Sequence, residues 1–563
     1  MTADDALIVE TSFAQQSLWL QHHLDPGLSA YNITAAVRLR GPLDTAALEY
    51  ALNTVAGRHE VLRTVFALEG GEPVQVIGPT APLAVPVEAA TPQEVAAAAG
   101  TELSRPFDLG TGPLLRMRLL RLGEEHHVAL LAMHHIVTDG ASSDIFLREL
   151  ATVYAARVAG HEPLLEELPL QYADFAVWQR KTLVGAELER LVGHWSQALT
   201  GAAPLALPTD LPPPATAGTH AVTHRFELPA ALTERLRRRA HEGRATLFMV
   251  LLAALDALLA RYCRQQDITV VAPMVGRARP ELEGLIGYFV NPLLLRTDVS
   301  GDPSFTELLG RARTTCLDAF DHEDLPFEQA VKALRRHGAP QAEMLRSQVL
   351  LVLQNARPDR WHSAGIDFEL IPADVDSAKA DLLLEVRPEP DGGCRAGLEY
   401  RTDLFTAATI ERFATHLLAV LDAATRRPDE PLSRLLDAAV PAAEIPLPPA
   451  APAGSGAPGQ AGGDGSAPRA RVAPRTPLEE EIAAIWRELL AWDDVGVYDN
   501  FYDLGGQSLL AVRLVAQLRD RFGVEISPRE LYSDFTVATV AWRVLCRMAE
   551  EDDPAGTDAP VRA

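Results

Sequence analysis

The sequence has few cysteines, little positive charge and no long apolar run. Its four cysteines are scattered along the chain, at Cys263, Cys316, Cys394 and Cys546. Because no two of them form a CxxC pair, the spacing predicts neither a disulfide framework nor a zinc site. Unpaired thiols are typical of a reducing compartment, so we expect a cytoplasmic protein and no bound metal.

Positive charge is scarce as well. The chain carries 51 basic and 76 acidic residues, which gives a formal net charge of −25 at pH 7. Nucleic acids and anionic membranes would repel such a chain, so neither is expected as a partner. The first residues, "MTADDALIVETSF", have no basic start followed by an apolar run, and no segment is long and apolar enough to predict a membrane span. We expect the chain to act as a monomer.

The sequence does contain material for several domains, with 47% hydrophobic residues over 563 positions. Residues 438–477 contain almost no large apolar side chain after Leu447, so this stretch cannot form a core. The residues before it mix β-type runs with helical patterns, which is typical of an α/β or α+β fold. A softer break near "QYADFAVWQ" divides this block into two lobes of similar size.

These patterns predict five segments. They are a first lobe over 1–178, a second lobe over 179–440, a flexible Ala/Pro/Gly linker over 441–475, a small all-α bundle over 476–550 and a disordered tail over 551–563. The middle helix of the bundle carries four large apolar residues at i+4 spacing, which predicts a stripe that faces a core. They are Leu510, Leu514, Leu518 and Phe522.

Ser508 stands at the start of that middle helix, behind Gly505 and Gly506. A serine in this place is commonly a helix N-cap, which stabilises a helix by about 1 kcal/mol. A serine hydroxyl at a glycine-flanked helix start is also accessible to another protein, and the positive helix terminus favours a phosphate attached there. The residues alone leave both interpretations open. A hydrolase nucleophile is disfavoured, because "GQSLL" lacks the glycine after the serine.

Two adjacent histidines end the apolar run "HVALLAM", which predicts a central strand covered on both faces. Side chains alternate along a strand, so His134 and His135 cannot readily ligate one metal or share one proton, and at most one faces a cleft. The turn and cap residues of 138–143 predict that the strand stops and that a helix begins with "SSDIFLREL". One imidazole then lies at a strand end, where an open sheet places chemistry.

Two stretches, "MHHIVTDG" around the histidines and "DNFYDLGGQSLLAVRL" around Ser508, resemble motifs of the condensation domain of nonribosomal peptide synthetases followed by a peptidyl carrier domain. "MHHIVTDG" is similar to the family's HHxxxDG motif, and "DNFYDLGGQSLLAVRL" is similar to the carrier site at which 4'-phosphopantetheine is attached. Further motifs follow in the family's order: "SFAQQSLWL" at Ser12–Leu20, "RHEVLRTVF" at Arg58–Phe66, "YADFAVWQ" at Tyr172–Gln179, "IGYFVNPLLLR" at Ile286–Arg296 and "HEDLPFE" at His322–Glu328.

The resemblance implies two chloramphenicol acetyltransferase-like lobes with the active site at their junction, and a small four-helix carrier bundle. It implies that His135 faces the substrate channel while His134 packs behind it, and that Ser508 carries phosphopantetheine. The activity implied is acyl transfer, in which an amine attacks a carrier-bound thioester and an amide forms. His135 would accept the proton of the amine or hydrogen-bond to it, and the backbone N–H of Gly140 would donate to the oxyanion.

Three further residues are expected around this turn. Asp139 is interpreted as a structural anchor, because a buried carboxylate needs a cationic partner. We expect that partner to be Arg277, with Arg63 as the alternative. Asn291 is expected either to line the same junction or to be a turn residue before Pro292.

The resemblance also implies partners, in the biosynthesis of a natural product such as an antibiotic. No adenylation domain lies between the two lobes and the bundle, so we expect an adenylation enzyme to load the carrier in trans. A phosphopantetheinyl transferase would modify Ser508, and an upstream carrier protein would deliver the donor while the fused carrier holds the acceptor. A flexible linker of about 35 residues has an r.m.s. span of roughly 30 Å, which leaves the carrier free to visit a loading enzyme.

Four other functions compete with amide formation. Ester formation with a hydroxyl acceptor differs from it only in the nucleophile. A non-catalytic recruitment domain tends to lose the second histidine, which is present here. An epimerase shares the histidines, but it usually follows its carrier, and "IGYFVNPLLLR" resembles condensation domains. A heterocyclisation domain has aspartate in place of the histidines.

Overall fold

A computed structural model describes most of the chain. The residues described are 6–25, 27, 29–212, 220–277, 279–336, 348–354, 360–371, 378–445, 472–490, 492, 494–501, 504, 508–524, 526 and 535–551. The chain divides into two compact units, one built mainly from residues before 451 and the other mainly from residues 451–563. Each unit is described by itself.

The first unit mixes helices and strands throughout its length. Its strands are β1 (Leu7–Glu10), β2 (Asn32–Arg40), β3 (Thr64–Glu69), β4 (Glu72–Ile77), β5 (Val87–Ala89), β6 (Leu115–Gly123), β7 (His126–His134), β8 (Ala221–Leu228), β9 (Asp267–Val275), β10 (Val290–Asp298), β11 (Val349–Leu353), β12 (Arg360–Ser363), β13 (Ile366–Ile371), β14 (Leu382–Pro388) and β15 (Cys394–Arg401). Its helices are α1 (Phe13–Leu24), α2 (Thr45–Arg58), α3 (Glu94–Ser104), α4 (Gly140–Ala159), α5 (Tyr172–Thr182), α6 (Gly185–Leu199), α7 (Ala230–Glu242), α8 (Leu247–Cys263), α9 (Phe305–Phe320), α10 (Phe327–Arg336), α11 (Ala407–Arg426) and α12 (Leu432–Ala439).

The strands form three sheets among the described residues. A small sheet has the order β1-β4-β3, and the two six-stranded sheets have the orders β12-β13-β2-β7-β6-β5 and β10-β9-β11-β14-β15-β8. Two large sheets with helices packed against them confirm the predicted mixed fold of two lobes.

β7 is the central strand that the apolar run predicts. It pairs antiparallel with β2 on one side and with β6 on the other, so that Met133 lies opposite both Ile33 and Leu115. Every residue from His127 to His134 is buried. A strand with partners on both sides and no exposed side chain is held rigidly, and this fixes the position of the residues that follow it.

One hairpin of the chain crosses from the second lobe to the first sheet. β12 and β13 lie within the segment 179–440 predicted as the second lobe, yet β13 pairs antiparallel with β2, with Phe368 opposite Leu39. The lobes were predicted by chain order, whereas this hairpin pairs with the first sheet although it lies in the second segment. The hairpin covers an edge of β2 whose N–H and C=O groups would otherwise have no strand partner. A segment of the predicted second lobe therefore forms part of the sheet of the first lobe.

The second lobe is built around a helix that is buried on all sides. α8 begins at the N-cap Thr246, whose side chain accepts a hydrogen bond from the N–H of Met249. Its residues from Met249 to Leu259 are all buried, as its nearly continuous apolar sequence predicts. α8, α9 and α11 pack with the sheet β10-β9-β11-β14-β15-β8 and form one large apolar core with it.

The second unit contains three helices in its described part. They are α13 (Pro477–Leu490), α14 (Ser508–Phe522) and α15 (Val537–Glu551). Leu514 and Leu518 are fully buried and Leu510 and Phe522 pack against the same core, which confirms the apolar stripe. The predicted bundle has four helices, and residues 525 and 527–534 lie outside the described residues, as do the linker residues 446–471 and the tail residues 552–563.

None of the helices given above is by itself long and apolar enough to cross a membrane. α7 and α8 together reach that length and composition, but they meet at an angle of 101°.

The crossing hairpin yields a testable prediction at Gly41, directly after β2. This residue has φ +126°, and a Cβ built there would lie 2.3 Å from the carbonyl oxygen of Gly365, at the turn before β13. We expect Gly41→Ala to lower the free energy of unfolding of the first unit by about 1–3 kcal/mol, because strain at such a backbone position is of that size. Chemical denaturation measures the change.

The matched control is Gly100→Ala in the interior of α3. A Cβ at Gly100 meets no atom within 4 Å, and alanine is favoured over glycine in a helix by roughly 0.5–1 kcal/mol. If the denaturation midpoint of Gly41→Ala equalled that of the wild type, the close approach of Gly41 to the backbone of Gly365 would be contradicted.

Candidate active site

The two histidines lie where β7 turns into α4. β7 ends at His134, a single 3-10 turn spans His135–Val137, and α4 begins at Gly140. The side chain of Asp139 caps α4 by accepting a hydrogen bond from the N–H of Ser142 at 2.7 Å. The helix thus starts two residues earlier than the sequence predicts, because the aspartate and not a serine provides the N-cap.

His134 is part of the buried interior behind this turn. Its side chain is 1% exposed, and its Nδ1 accepts a hydrogen bond from the N–H of Ile136 at 3.1 Å. Its ring meets that of Phe107 edge to face, with centroids 6.1 Å apart. The buried side chain of His134 therefore stabilises the 3-10 turn through this hydrogen bond, and its position suits a structural role.

His135 is half-buried, and one of its two ring nitrogens is bound to the turn itself. Its Nδ1 lies 2.8 Å from the carbonyl oxygen of Thr138. A carbonyl oxygen can only accept, so Nδ1 must carry the proton, and the neutral ring presents an unprotonated Nε2. The hydrogen bond thereby selects the tautomer that a general base needs.

The protonation state of His135 follows from its surroundings. Burial of the ring, followed by the nearby positive charge of Lys379, lowers the pKa of His135 to about 4. Burial acts in this direction because it penalises the charged imidazolium. At neutral pH the ring is therefore uncharged, and its Nε2 is free to accept a proton.

Asp139 and Arg277 form a buried ion pair across the junction of the two lobes. The two guanidinium Nη atoms lie 3.0 and 3.2 Å from the two carboxylate oxygens, and the side chains of Arg277 and Asp139 are 7% and 0% exposed. The carboxylate also accepts from the N–H of Phe289 at 3.1 Å, and the guanidinium lies 4.2 Å from the centre of that residue's ring. Arg63, the alternative partner, instead donates to Gly78 and Glu60 on its own side.

The structure adds residues that the sequence did not single out. Ser142 Oγ donates to the carbonyl of Gly287 at 2.8 Å and accepts from its N–H at 3.0 Å, which joins the start of α4 to the second lobe. The hydroxyl of Tyr172 donates to the carbonyl of Tyr288 at 2.6 Å. A Cβ on Gly287 would lie 1.9 Å from the ring of Tyr172, so only glycine fits there. Tyr172 and Gly287 each lie within a family motif, but sequence alone does not show which motifs touch.

Asn291 lies inside β10 and is not a turn residue. Its amide nitrogen donates to the carbonyls of Glu323 and Leu325 at 2.7 and 2.8 Å, and its oxygen accepts from the N–H of Phe327 at 2.9 Å. Asn291 thereby holds the segment that precedes α10, and it also lines a cleft at the lobe junction beside Tyr288.

Gly140 is the first residue of α4, and it is exposed. Its N–H therefore lies at the positive end of that helix, where backbone donors have no partner within the helix.

The structure bears on two kinds of bound group, a metal ion and a phosphate-linked prosthetic group. In the part of the chain that the structure describes, no three His, Cys, Asp or Glu residues lie together as ligands of a metal. Ser508 is the first residue of the 15-residue helix α14. The positive end of a helix dipole stabilises a phosphate, so the position fits a phosphate-linked group.

Comparison with known proteins matches the two compact units of the chain to two different families. Residues 6–439 match the condensation-domain family, and residues 480–542 match the family of phosphopantetheine attachment sites. A linear gramicidin synthase protein of Brevibacillus parabrevis is 45% identical over 435 residues, which is 75% of this chain and 8% of that protein. Phosphinothricin tripeptide synthetase PhsC of Streptomyces viridochromogenes is 40% identical over 428 residues, or 74% of this chain and 39% of that protein.

Among solved structures, the X-domain of teicoplanin biosynthesis, in a complex with OxyB, superposes with a TM-score of 0.68 at 30% identity. The match covers 76% of this chain and 95% of that one. This chain spans well under half the length of the two curated synthetases. It belongs to the condensation-domain family of nonribosomal peptide synthetases and carries a phosphopantetheine-attachment domain after its condensation domain.

Proposed function

We propose that this chain forms an amide bond between an acyl or peptidyl thioester, delivered by a separate carrier protein, and an amino acceptor held on its own carrier domain at Ser508. The observation that carries the proposal is His135, whose Nδ1 is bound to the carbonyl of Thr138, so that the neutral ring presents an unprotonated Nε2. The relative named as a tripeptide synthetase supports the same chemistry.

His135 meets the requirements of the reaction. An attacking amine forms a C–N bond to the thioester carbon and must then lose a proton. Nε2 can hydrogen-bond that amine or accept its proton, and the proton then passes to the sulfur as the C–S bond breaks. A low pKa keeps the ring neutral at physiological pH, so it can perform this role without first losing a proton itself.

Gly140 and the ion pair support the same centre in different ways. The N–H of Gly140, an exposed residue at the start of α4, is a donor that can stabilise the oxyanion of the tetrahedral intermediate. Asp139 caps that helix and binds Arg277 and the backbone of Phe289. It therefore acts through the turn that presents His135, and we assign it a positioning role.

The carrier domain supplies the acceptor. Phosphopantetheine, once attached, provides the thiol that holds an amino acid as a thioester. We infer Ser508 as the attachment residue, because it opens α14 within the matched family region. A phosphopantetheinyl transferase would add the group, and an adenylation enzyme would load it in trans. The free cysteines suit a cytoplasmic location. We also propose that the chain acts as a monomer.

One prediction tests the reaction and its direction. With distinguishable groups on the fused carrier and on a separate donor carrier, intact-protein mass spectrometry should show the joined product on Ser508. His135→Ala should lower the rate by about 100-fold or more, because it removes the general base. His161→Ala, an exposed histidine after α4, should keep the wild-type rate. Product on the separate carrier would reverse the proposed direction.

A second prediction concerns the prosthetic group. Coexpression with a phosphopantetheinyl transferase should add the mass of one phosphopantetheine to the wild type and none to Ser508→Ala. Ser533→Ala, which changes another serine of the same domain, should be labelled as completely as the wild type. Labelling of Ser508→Ala would show that the group is attached elsewhere.

A third prediction concerns the ion pair. Asp139→Ala should destabilise the first unit by about 3–5 kcal/mol, because it leaves the buried guanidinium of Arg277 without its carboxylate. The double variant Asp139→Ala, Arg277→Met should recover part of that loss. Glu187→Ala, which breaks the exposed pair with Arg190, should change the melting temperature little. Equal melting temperatures for Asp139→Ala and Glu187→Ala would contradict a stabilising role for the buried pair.

A further inference from the structure

Three consecutive residues of the second lobe are bound to the first lobe at the active site. Gly287 exchanges two hydrogen bonds with the side chain of Ser142, and the N–H of Phe289 donates to Asp139. The carbonyl between them, that of Tyr288, accepts from the hydroxyl of Tyr172 at 2.6 Å. The same groups that shape the turn of His135 thus determine where the backbone of Tyr288 lies.

The ring of Tyr288 is in contact with the imidazole of His135. Their centroids are 4.9 Å apart and their planes meet at 67°, an edge-to-face arrangement. Tyr288 is half-buried and lines the cleft at the lobe junction, together with Phe175, Trp178 and Asn291. The ring contact places the side chain of Tyr288 within reach of a substrate that reacts beside His135.

The phenol hydroxyl has the properties of a hydrogen-bond donor. Among the described residues, the hydrogen bond of Tyr288 is the one that its backbone carbonyl accepts from the hydroxyl of Tyr172, which leaves its own hydroxyl available to a substrate. Burial, followed by the nearby carboxylate of Glu328, raises the pKa of Tyr288 well above its usual value of 10. The hydroxyl therefore keeps its proton throughout the pH range in which an amine reacts.

We propose that Tyr288 is a further catalytic residue, whose hydroxyl donates a hydrogen bond to the carbonyl oxygen of the donor thioester. This inference rests on the proposed function. As the amine lone pair forms the C–N bond, the π electrons of the carbonyl move to its oxygen, and the negative charge is stabilised by the hydroxyl. Tyr288 transfers no proton. When the carbonyl re-forms, the C–S bond breaks and the thiolate takes the proton held by His135.

A purely structural role for Tyr288 makes a different prediction. The edge-to-face contact with His135 depends on the ring, and the hydrogen bond from Tyr172 depends on the backbone. Phenylalanine preserves both. A loss of rate in Tyr288→Phe would therefore be due to the hydroxyl alone, and the melting temperature should remain that of the wild type.

The experiment compares Tyr288→Phe with Tyr50→Phe, which changes an exposed tyrosine of α2. Both carriers are charged, the concentration of the donor carrier is varied, and product on the fused carrier is followed by mass spectrometry. We expect kcat of Tyr288→Phe to fall about 100-fold, as on loss of one oxyanion donor, with KM for the donor carrier unchanged. Tyr50→Phe should keep the wild-type kcat and KM.

The outcomes separate this inference from the function on which it rests. Product formation by the wild type together with an undiminished kcat in Tyr288→Phe would overturn the role of the hydroxyl and leave amide formation intact. A rise in KM with kcat unchanged would likewise overturn it, because the hydroxyl would then contribute to binding and not to the transition state. Absence of product from fully charged wild-type protein would overturn the proposed function, and this inference with it.

Discussion

The arrangement of the active site depends on one buried ion pair. Asp139 satisfies four groups at once: the N–H at the start of α4, two nitrogens of Arg277 and the N–H of Phe289. A buried carboxylate is tolerated only when its charge and its lone pairs are matched, and here the matching groups come from both lobes. The pair therefore joins the lobes at the point where the histidine turn ends and α4 begins, and a change in either partner would alter both the turn and the contact between the lobes.

The chemical state of His135 follows from the same turn. Because β7 is fixed between two partner strands, the 3-10 turn after it places the ring nitrogen against the carbonyl of Thr138. One hydrogen bond then decides the tautomer, and burial keeps the ring neutral. The two adjacent histidines differ in position for a simple geometrical reason: the strand ends between them. His134 remains within the interior, while His135 belongs to the turn that leaves it.

The two lobes are less separate than their order along the chain implies. The hairpin of β12 and β13 extends the first sheet, and Gly287 to Phe289 bind groups of the first lobe. The cleft at the junction is therefore lined by residues from both lobes. The two lobes approach each other closely at Gly287, because the ring of Tyr172 occupies the space that a side chain at this position would need.

The sequence by itself determined the elements that depend on local pattern. The central strand that ends at the histidines, the apolar stripe of α14 and the division into condensation and carrier domains follow from periodicity, composition and motif resemblance. Only the tertiary structure decided which distant residues meet. The sequence offered Arg277, with Arg63 as the alternative, as the partner of Asp139, and the structure selects Arg277, which lies 138 positions away along the chain. The structure alone brings Tyr288, similarly distant in sequence, into contact with the ring of His135. Such pairings depend on how the two sheets and their connections pack, and packing leaves no local pattern in the sequence.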